Sequence, residues 1–178
     1  QDYLYLIDYA KVFAVGVSKA KDGETMKLFA GYVHQILDGE MDIHRSYMAR
    51  LGITLEEAEQ TPVALDNLSY TSYMLRVAFE EGAGEVAAAI LSCALSYEYI
   101  AKEILRTNPD AEQHPFYGEW VQGYAAPEYA EANRILVELT NRLTAEYNTR
   151  QLQHLIEIFV NCSRYELAFW DMAWHVKK

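Results

Sequence analysis

Four short segments set chemically capable side chains on faces that helical periodicity assigns to the interior. In Leu91–Ile100, LSCALSYEYI, Cys93 and Tyr97 stand four apart on one face. Asp2 and Tyr5 are three apart at the start of the sequence, Tyr70 lies in LSYTSYM, and Glu166 and Phe169 are three apart in SRYELAFWDMAW. A thiol is a nucleophile where its thiolate is favoured, a carboxyl can give or take a proton, and phenol hydroxyls can donate hydrogen bonds to either. Burying a carboxylate costs several kcal/mol unless it is paired or protonated, so two acids facing one core need a reason. A pocket lined by these groups supplies one.

The elements that must carry them all read as helices. Asp2–Ser18 is apolar nearly all round, through Leu4, Leu6, Ile7, Ala10, Val12, Phe13, Ala14 and Val17, which suits a helix inside a bundle. After a break at Lys21-Asp22-Gly23, residues Glu24–Leu51 read as one long amphipathic helix. Its inner stripe is Met26, Phe29, Val33, Ile36, Leu37, Ile43, Tyr47 and Leu51, and Gly52 is its stop. Thr54, followed by Glu56 and Glu57, opens a short helix that Thr61-Pro62 ends.

Leu65–Glu80 is a third long helix, stopped by Gly82 and Gly84, and the Cys93 helix spans Glu85–Arg106 before Asn108-Pro109 closes it. Residues Asn108–Pro127 turn to Pro, Gly, His and aromatics, a loop with one short helix over Tyr117–Gln122. Two long helices, Glu128–Tyr147 and Thr149–Val176, follow. Without strand-like alternation, internal repeat or low-complexity tract, the pattern predicts an all-α antiparallel bundle of long helices, one domain over residues 1–178.

The formal net charge of −11 comes from 26 acidic against 15 basic residues, with no basic cluster beyond Lys177-Lys178. That balance argues against nucleic acid or an anionic membrane surface as partner. Apolar stretches are short and broken by charge, so no membrane span is expected. The two cysteines, Cys93 and Cys162, lack CxxC spacing and are too few for a disulfide framework, which points to a reducing compartment, the cytoplasm. The sequence opens at Gln1, without methionine and already inside an apolar-periodic pattern, so a natural N-terminal segment is expected to precede it.

QDYLYLIDYAKVFA, SYTSYM, LSCALSYEYI and SRYELAFWDMAW, in this order and at these separations, resemble the landmark segments of the TenA family, also called thiaminase II or aminopyrimidine aminohydrolase. The resemblance spans Gln1 to His175 and implies a haem-oxygenase-like helical fold, a homotetramer and no cofactor. It also implies hydrolysis of 4-amino-5-aminomethyl-2-methylpyrimidine to the hydroxymethyl compound in thiamin salvage, with thiamin itself a substrate of many members. Carried over by motif, Cys93 resembles the nucleophile and Glu166 the proton donor. Tyr5 and Tyr70 match tyrosines that sharpen the thiol, and Asp2, Tyr97 and Tyr124 (in Gly123-Tyr124-Ala125) match substrate-binding positions. Phe169 is expected beside them as an apolar wall. The segment departs from the family pattern around the cysteine, where Leu91-Ser92 precedes it in place of Leu-Pro and Ala94-Leu95 follows in place of a bulky aromatic.

The implied chemistry suits these residue types. Sulfur addition to the ring carbon beside the one bearing the methylene, with protonation of a ring nitrogen, breaks aromaticity and makes an enamine that can expel the amine. Two other readings use other residues. A metal- or haem-binding bundle would draw on the i, i+4 pairs Glu40/His44 and Asp171/His175, although a helical surface acid-base pair is the simpler account of both. A non-catalytic aminopyrimidine-binding module would keep the pocket without needing the thiol.

Overall fold

The run Val86–Ile90, VAAAI, has at most 2% of its surface exposed at any residue, and the helix it belongs to is the axis of the molecule. Three consecutive alanines keep that helix narrow, so neighbours approach it closely on several sides. The structure, a computed structural model, describes residues 1–176. Its helices are α1 (Asp2–Lys19), α2 (Gly23–Gln35), α3 (Met41–Arg50), α4 (Leu55–Gln60), α5 (Leu65–Glu80), α6 (Ala83–Thr107), α7 (Gly118–Ala125), α8 (Pro127–Leu143) and α9 (Thr149–His175). No strand occurs among the described residues. Helix α6 packs against α1, α5, α7, α8 and α9, and the antiparallel helical bundle expected from periodicity is the architecture observed.

Helix ends fall where side chains can satisfy free backbone N–H groups. The Asp22 carboxylate accepts from Thr25 N at 2.8 Å at the start of α2. Thr54 and Glu57 cap α4 reciprocally, as Asn148 and Gln151 cap α9. Gly52 closes α3 with φ +72°, the left-handed region that a side chain disfavours.

One expected element differs. The helix predicted over Glu24–Leu51 is interrupted by a π turn, Ile36–Glu40, which inserts an extra residue into the helical repeat between α2 and α3. Everything downstream is rotated. Ile43 and Leu51, which a 3.6-residue period puts inside, are 51% and 60% exposed, while Met41 is buried. Glu40 now reaches α7 through Tyr124, and His44 reaches α1 through Asp2. A second difference lies in α7, which starts at Gly118 and runs to Ala125, so Tyr124 is helical instead of lying in the loop. Helix α8 ends at Leu143, four residues short of the expected Tyr147.

Helices α1 and α2 both line one internal cavity, and Gly16 lets them approach. The Phe29 ring is fully buried over it, so a Cβ at residue 16 would stand 2.8 Å from Phe29 Cδ1. Gly16→Val is expected to destabilise the fold by about 1–3 kcal/mol through overpacking. Urea unfolding should show a lower midpoint at unchanged slope; an unaltered midpoint would mean that the α1–α2 contact has slack.

Candidate active site

The inner stripe of α9 runs Ile158, Cys162, Glu166, Phe169, Met172, and that of α6 runs Val86, Ile90, Cys93, Tyr97, Ala101. Both are apolar stripes with a reactive group set into them at helical spacing. Because α6 and α9 pack together, the Cys93 thiol and the Glu166 carboxyl are turned toward one interior space. A hydrogen bond between the helices fixes their register: Ser163 Oγ donates to Phe159 O at 2.9 Å, which leaves Ser92 Oγ to donate to Ser163 Oγ, also at 2.9 Å. Ser92 stands beside Cys93, so the polar residue before the cysteine ties the two helices together.

Aromatic rings wall this space. Tyr5 of α1 lies 5.3 Å from Tyr70 of α5 and 5.4 Å from Phe169 between ring centres. Tyr97 stands against Tyr124 at 4.8 Å and against Trp170 at 5.6 Å. Tyr9 stacks on Tyr5 and donates its hydroxyl to Ile90 O of α6 at 2.9 Å, pinning α1 to the cysteine helix. The structure thus gathers Cys93, Glu166, Tyr5, Tyr70, Tyr97, Tyr124 and Phe169 from five helices, with Asp2 at the rim, its side chain about a third exposed. Four buried polar atoms here have no hydrogen-bond partner: the Tyr5 and Tyr70 hydroxyls, Glu166 Oε2 and Trp170 Nε1. Buried polar groups are normally satisfied, so such a cluster fits a polar small molecule.

Burial dominates the electrostatics. It pushes the Cys93 thiol well above its ordinary range, and the nearby Glu166 charge pushes the same way, while the Tyr5 hydroxyl favours the thiolate. Burial also raises Glu166 to about 7; the Tyr70 hydroxyl, the Cys93 thiol and the Trp170 indole lie near enough to favour its charged form and offset part of that rise. Tyr5 thus lies near the sulfur, and Tyr70 near both the carboxyl and the sulfur. Asp2 is raised by burial to about 6, so it is mostly ionised at neutral pH. Cys162, fully buried, keeps a thiol pKa near 12 for the same reason and packs as an apolar group.

A cavity of about 310 Å³, with Ala94 and Tyr124 in its wall, lies between α1, α2, the π turn, α7 and α8. Glu40 lines it and His44 turns to Asp2 of α1, so they are not the surface acid-base pair that their spacing suggested. Tyr124 donates its hydroxyl to Glu40 at 2.5 Å, and His44 Nε2 lies 3.3 Å from Asp2. Asp171 and His175 do lie on the exposed end of α9, where the imidazole meets the Asp171 backbone carbonyl instead of its carboxylate. Among the described residues no three His, Cys, Asp or Glu side chains gather as a metal site. Sequence reasoning missed Glu40, Trp120 and Tyr129 as lining residues. For Glu40, Gly39 beside it within a long helix was the available hint of an irregular turn.

The TENA/THI-4/PQQC family model matches residues 1–176. Over 174 residues the chain is 44% identical to an aminopyrimidine aminohydrolase of Helicobacter pylori, covering 98% of this chain and 80% of that protein. It is 43% identical over 175 residues to an aminopyrimidine aminohydrolase of Halalkalibacterium halodurans, covering 98% and 78%. A solved TenA homologue from P. horikoshii OT3 shares 30% identity and a TM-score of 0.86, covering 98% of this chain and 79% of the other.

The raised Glu166 pKa has a consequence for stability. The folded protein holds this proton up to about pH 7, whereas the unfolded chain releases it near 4.5, so Glu166 lowers stability as pH rises through that window. At about 1.4 kcal/mol per pH unit the loss reaches roughly 3 kcal/mol. Glu166→Gln is expected to gain about 2 kcal/mol more stability at pH 8 than at pH 5 in urea unfolding. Equal gains at the two pH values would mean that the carboxyl titrates normally.

Proposed function

The chain belongs to the TENA/THI-4/PQQC family, and on that footing we propose that it is an aminopyrimidine aminohydrolase of thiamin salvage. The reaction takes 4-amino-5-aminomethyl-2-methylpyrimidine and water to the hydroxymethyl compound and ammonia. One observation carries the reading: a buried thiol and a buried carboxyl lie close together in a chamber walled by flat aromatic rings.

The pyrimidine stacks among those rings, and ionised Asp2 accepts a hydrogen bond from the ring's amino group. Cys93 and Glu166 enter as a pair holding one proton. As sulfur bonds to the ring carbon next to the methylene-bearing one, the thiol proton passes to Glu166 and on to the adjacent ring nitrogen, which takes up the displaced electron pair. The ring is then an enamine. Its amino nitrogen pushes electrons outward, the bond from methylene to protonated amine breaks, and ammonia departs with the bonding pair. Water adds to the exposed methylene and loses a proton. The ring nitrogen returns its proton through Glu166, the carbon–sulfur bond breaks toward sulfur, and aromaticity is restored. Tyr5 steadies the thiolate at both ends of the cycle, and Tyr70 steadies the ionised form of Glu166.

A homotetramer in the cytoplasm belongs to the same reading. Supporting it are two free cysteines and an apolar row on the outer face of α9, Leu152, Ile156, Val160, Leu167 and Trp174, from 37% to 84% exposed. No helix among the described residues is long and apolar enough to cross a membrane.

Cys93→Ala is expected to lower ammonia release about a thousandfold while the dissociation constant of the hydroxymethyl product moves by less than about threefold. Undiminished turnover would defeat the assignment. The reactive pair carries one proton, so kcat/KM is expected to fall as pH drops below about 7, where Glu166 takes a proton beside the already protonated Cys93. A profile flat down to about pH 5.5 would remove Glu166 from proton transfer.

A further inference from the structure

Of the four buried polar atoms without a partner, one belongs to a side chain to which the reaction as written gives no part: the indole N–H of Trp170. Trp170 follows Glu166 by four residues on α9, so the two side chains stand one helical turn apart on the same side. Glu166 Oε2 is also unpartnered and the residue is 4% exposed. A buried donor without an acceptor and a buried acceptor without a donor thus lie side by side. The indole is not free to turn elsewhere. Its ring lies 5.6 Å from Tyr97 of α6 and meets Trp120 of α7 edge-on at 6.2 Å between centres.

The surroundings of the carboxyl show what such a donor is for. The ionisable groups that act on or answer to Glu166 are Asp2 and Tyr5 of α1, Tyr70 of α5, Cys93 and Tyr97 of α6, Tyr129 of α8 and Cys162 of α9. None of these supplies a positive charge. An ionised Glu166 therefore depends on neutral donors, and those that favour its charged form are the Tyr70 hydroxyl, the Cys93 thiol and the Trp170 indole. They differ in kind. The thiol gives up its proton during the reaction, and a phenol hydroxyl can donate or accept, so it can follow the carboxyl through both of its forms. An indole N–H only donates. It stabilises the carboxylate and offers nothing to the protonated acid in return. Hydrogen bonds of this kind are often loose before substrate is bound and tighten as charge develops.

We propose that Trp170 is a positioning residue for the proton transfer: its indole N–H donates to the Glu166 carboxylate, keeps that group ionised beside the protonated Cys93 thiol until a pyrimidine is bound, and draws it back to the ionised form once the ring nitrogen has taken the proton. The inference rests on the hydrolase reading above. It explains why a proton taken from sulfur is passed on by a carboxyl that burial alone would leave protonated.

The test compares the unaltered chain with Trp170→Phe, which keeps an aromatic ring and loses the donor, each with and without Glu166→Gln. Removing a donor that favours the charged form raises the folded-state pKa of Glu166 above about 7 while the unfolded value stays near 4.5, so stability is lost over a wider window as pH rises. In urea unfolding at pH 5 and pH 9, Trp170→Phe is expected to lose roughly tenfold more of its folding equilibrium constant between the two than the unaltered chain. With Glu166→Gln present that excess should vanish. The acidic limb of kcat/KM for ammonia release should move up by about one pH unit, while hydroxymethyl-product affinity, measured in the Cys93→Ala background, shifts by less than about threefold. Where the phenyl ring packs too poorly to fold, a benzothiophene side chain at position 170, which puts sulfur in place of the N–H, carries the same comparison. An equal loss with and without the donor would mean that the indole only fills space, and an excess that survives Glu166→Gln would mean that it serves another acid; either overturns the proposal. A shifted stability profile with an unmoved acidic limb would overturn the role in proton transfer and leave the hydrolase reading standing, whereas an unaltered chain that released no ammonia would sink that reading and the role together.

Discussion

Two ionisable groups buried against each other between α6 and α9 are the constraint to which the remaining structure answers. Neither Cys93 nor Glu166 can hold a charge cheaply in that position; the Glu166 charge raises the cost of the thiolate, while the Cys93 thiol offsets part of the cost of the carboxylate. The consequence is a carboxyl that keeps its proton up to about pH 7, where an exposed one would have lost its own, beside a thiol that keeps its proton still higher. Holding the two groups in place takes a register that ordinary apolar packing would leave loose. The Ser92–Ser163 bond between the helices and the Tyr9 bond to Ile90 O supply it from two directions.

The same burial leaves part of the interior unsatisfied. Tyr5, Tyr70, Trp170 and Glu166 each contribute a polar atom without a partner, and such atoms cost stability wherever they occur. Elsewhere the protein is conventionally packed: α6 is sealed along Val86–Ile90, Phe29 fills the notch at Gly16, and helix ends are capped. Unmet hydrogen bonding is concentrated where a ligand would meet it, the usual division between a stable frame and a working site. The π turn belongs to the working part, since it alone brings Glu40 toward the aromatic cavity.

Much of this was legible in the residues. Cys93 with Tyr97, and Glu166 with Phe169, betray themselves as reactive groups set into otherwise apolar stripes, and spacing of four and of three residues places each pair on an inner face whatever the neighbours are. The helices α1, α5, α6 and α9 were readable for the same reason, because their apolar periodicity is long and their ends carry Gly, Pro or capping residues. Glu40 and His44 were misread because a fixed 3.6-residue period was carried through Ile36–Glu40. One inserted residue rotated Glu40 from the assumed surface to the cavity and His44 toward Asp2, and turned Ile43 and Leu51 outward. Tyr124 was placed correctly by its neighbours Gly123 and Ala125, but its helical setting and its bond to Glu40 could not be seen there.

Taken alone, the chain's text determined which side chains lie on which face of each regular helix, since that follows from local geometry repeated every turn. It also fixed the all-helical class, because no segment alternates as a strand must. How Tyr5 and Tyr70 sit about the thiol and the carboxyl, how large the cavity is, and which carboxylate lacks a cation among the described residues were decided only by tertiary structure. Those properties depend on the relative approach of α1, α6, α7 and α9, and pair distances between helices are set by packing across the whole bundle, with no local spacing in the sequence to encode them.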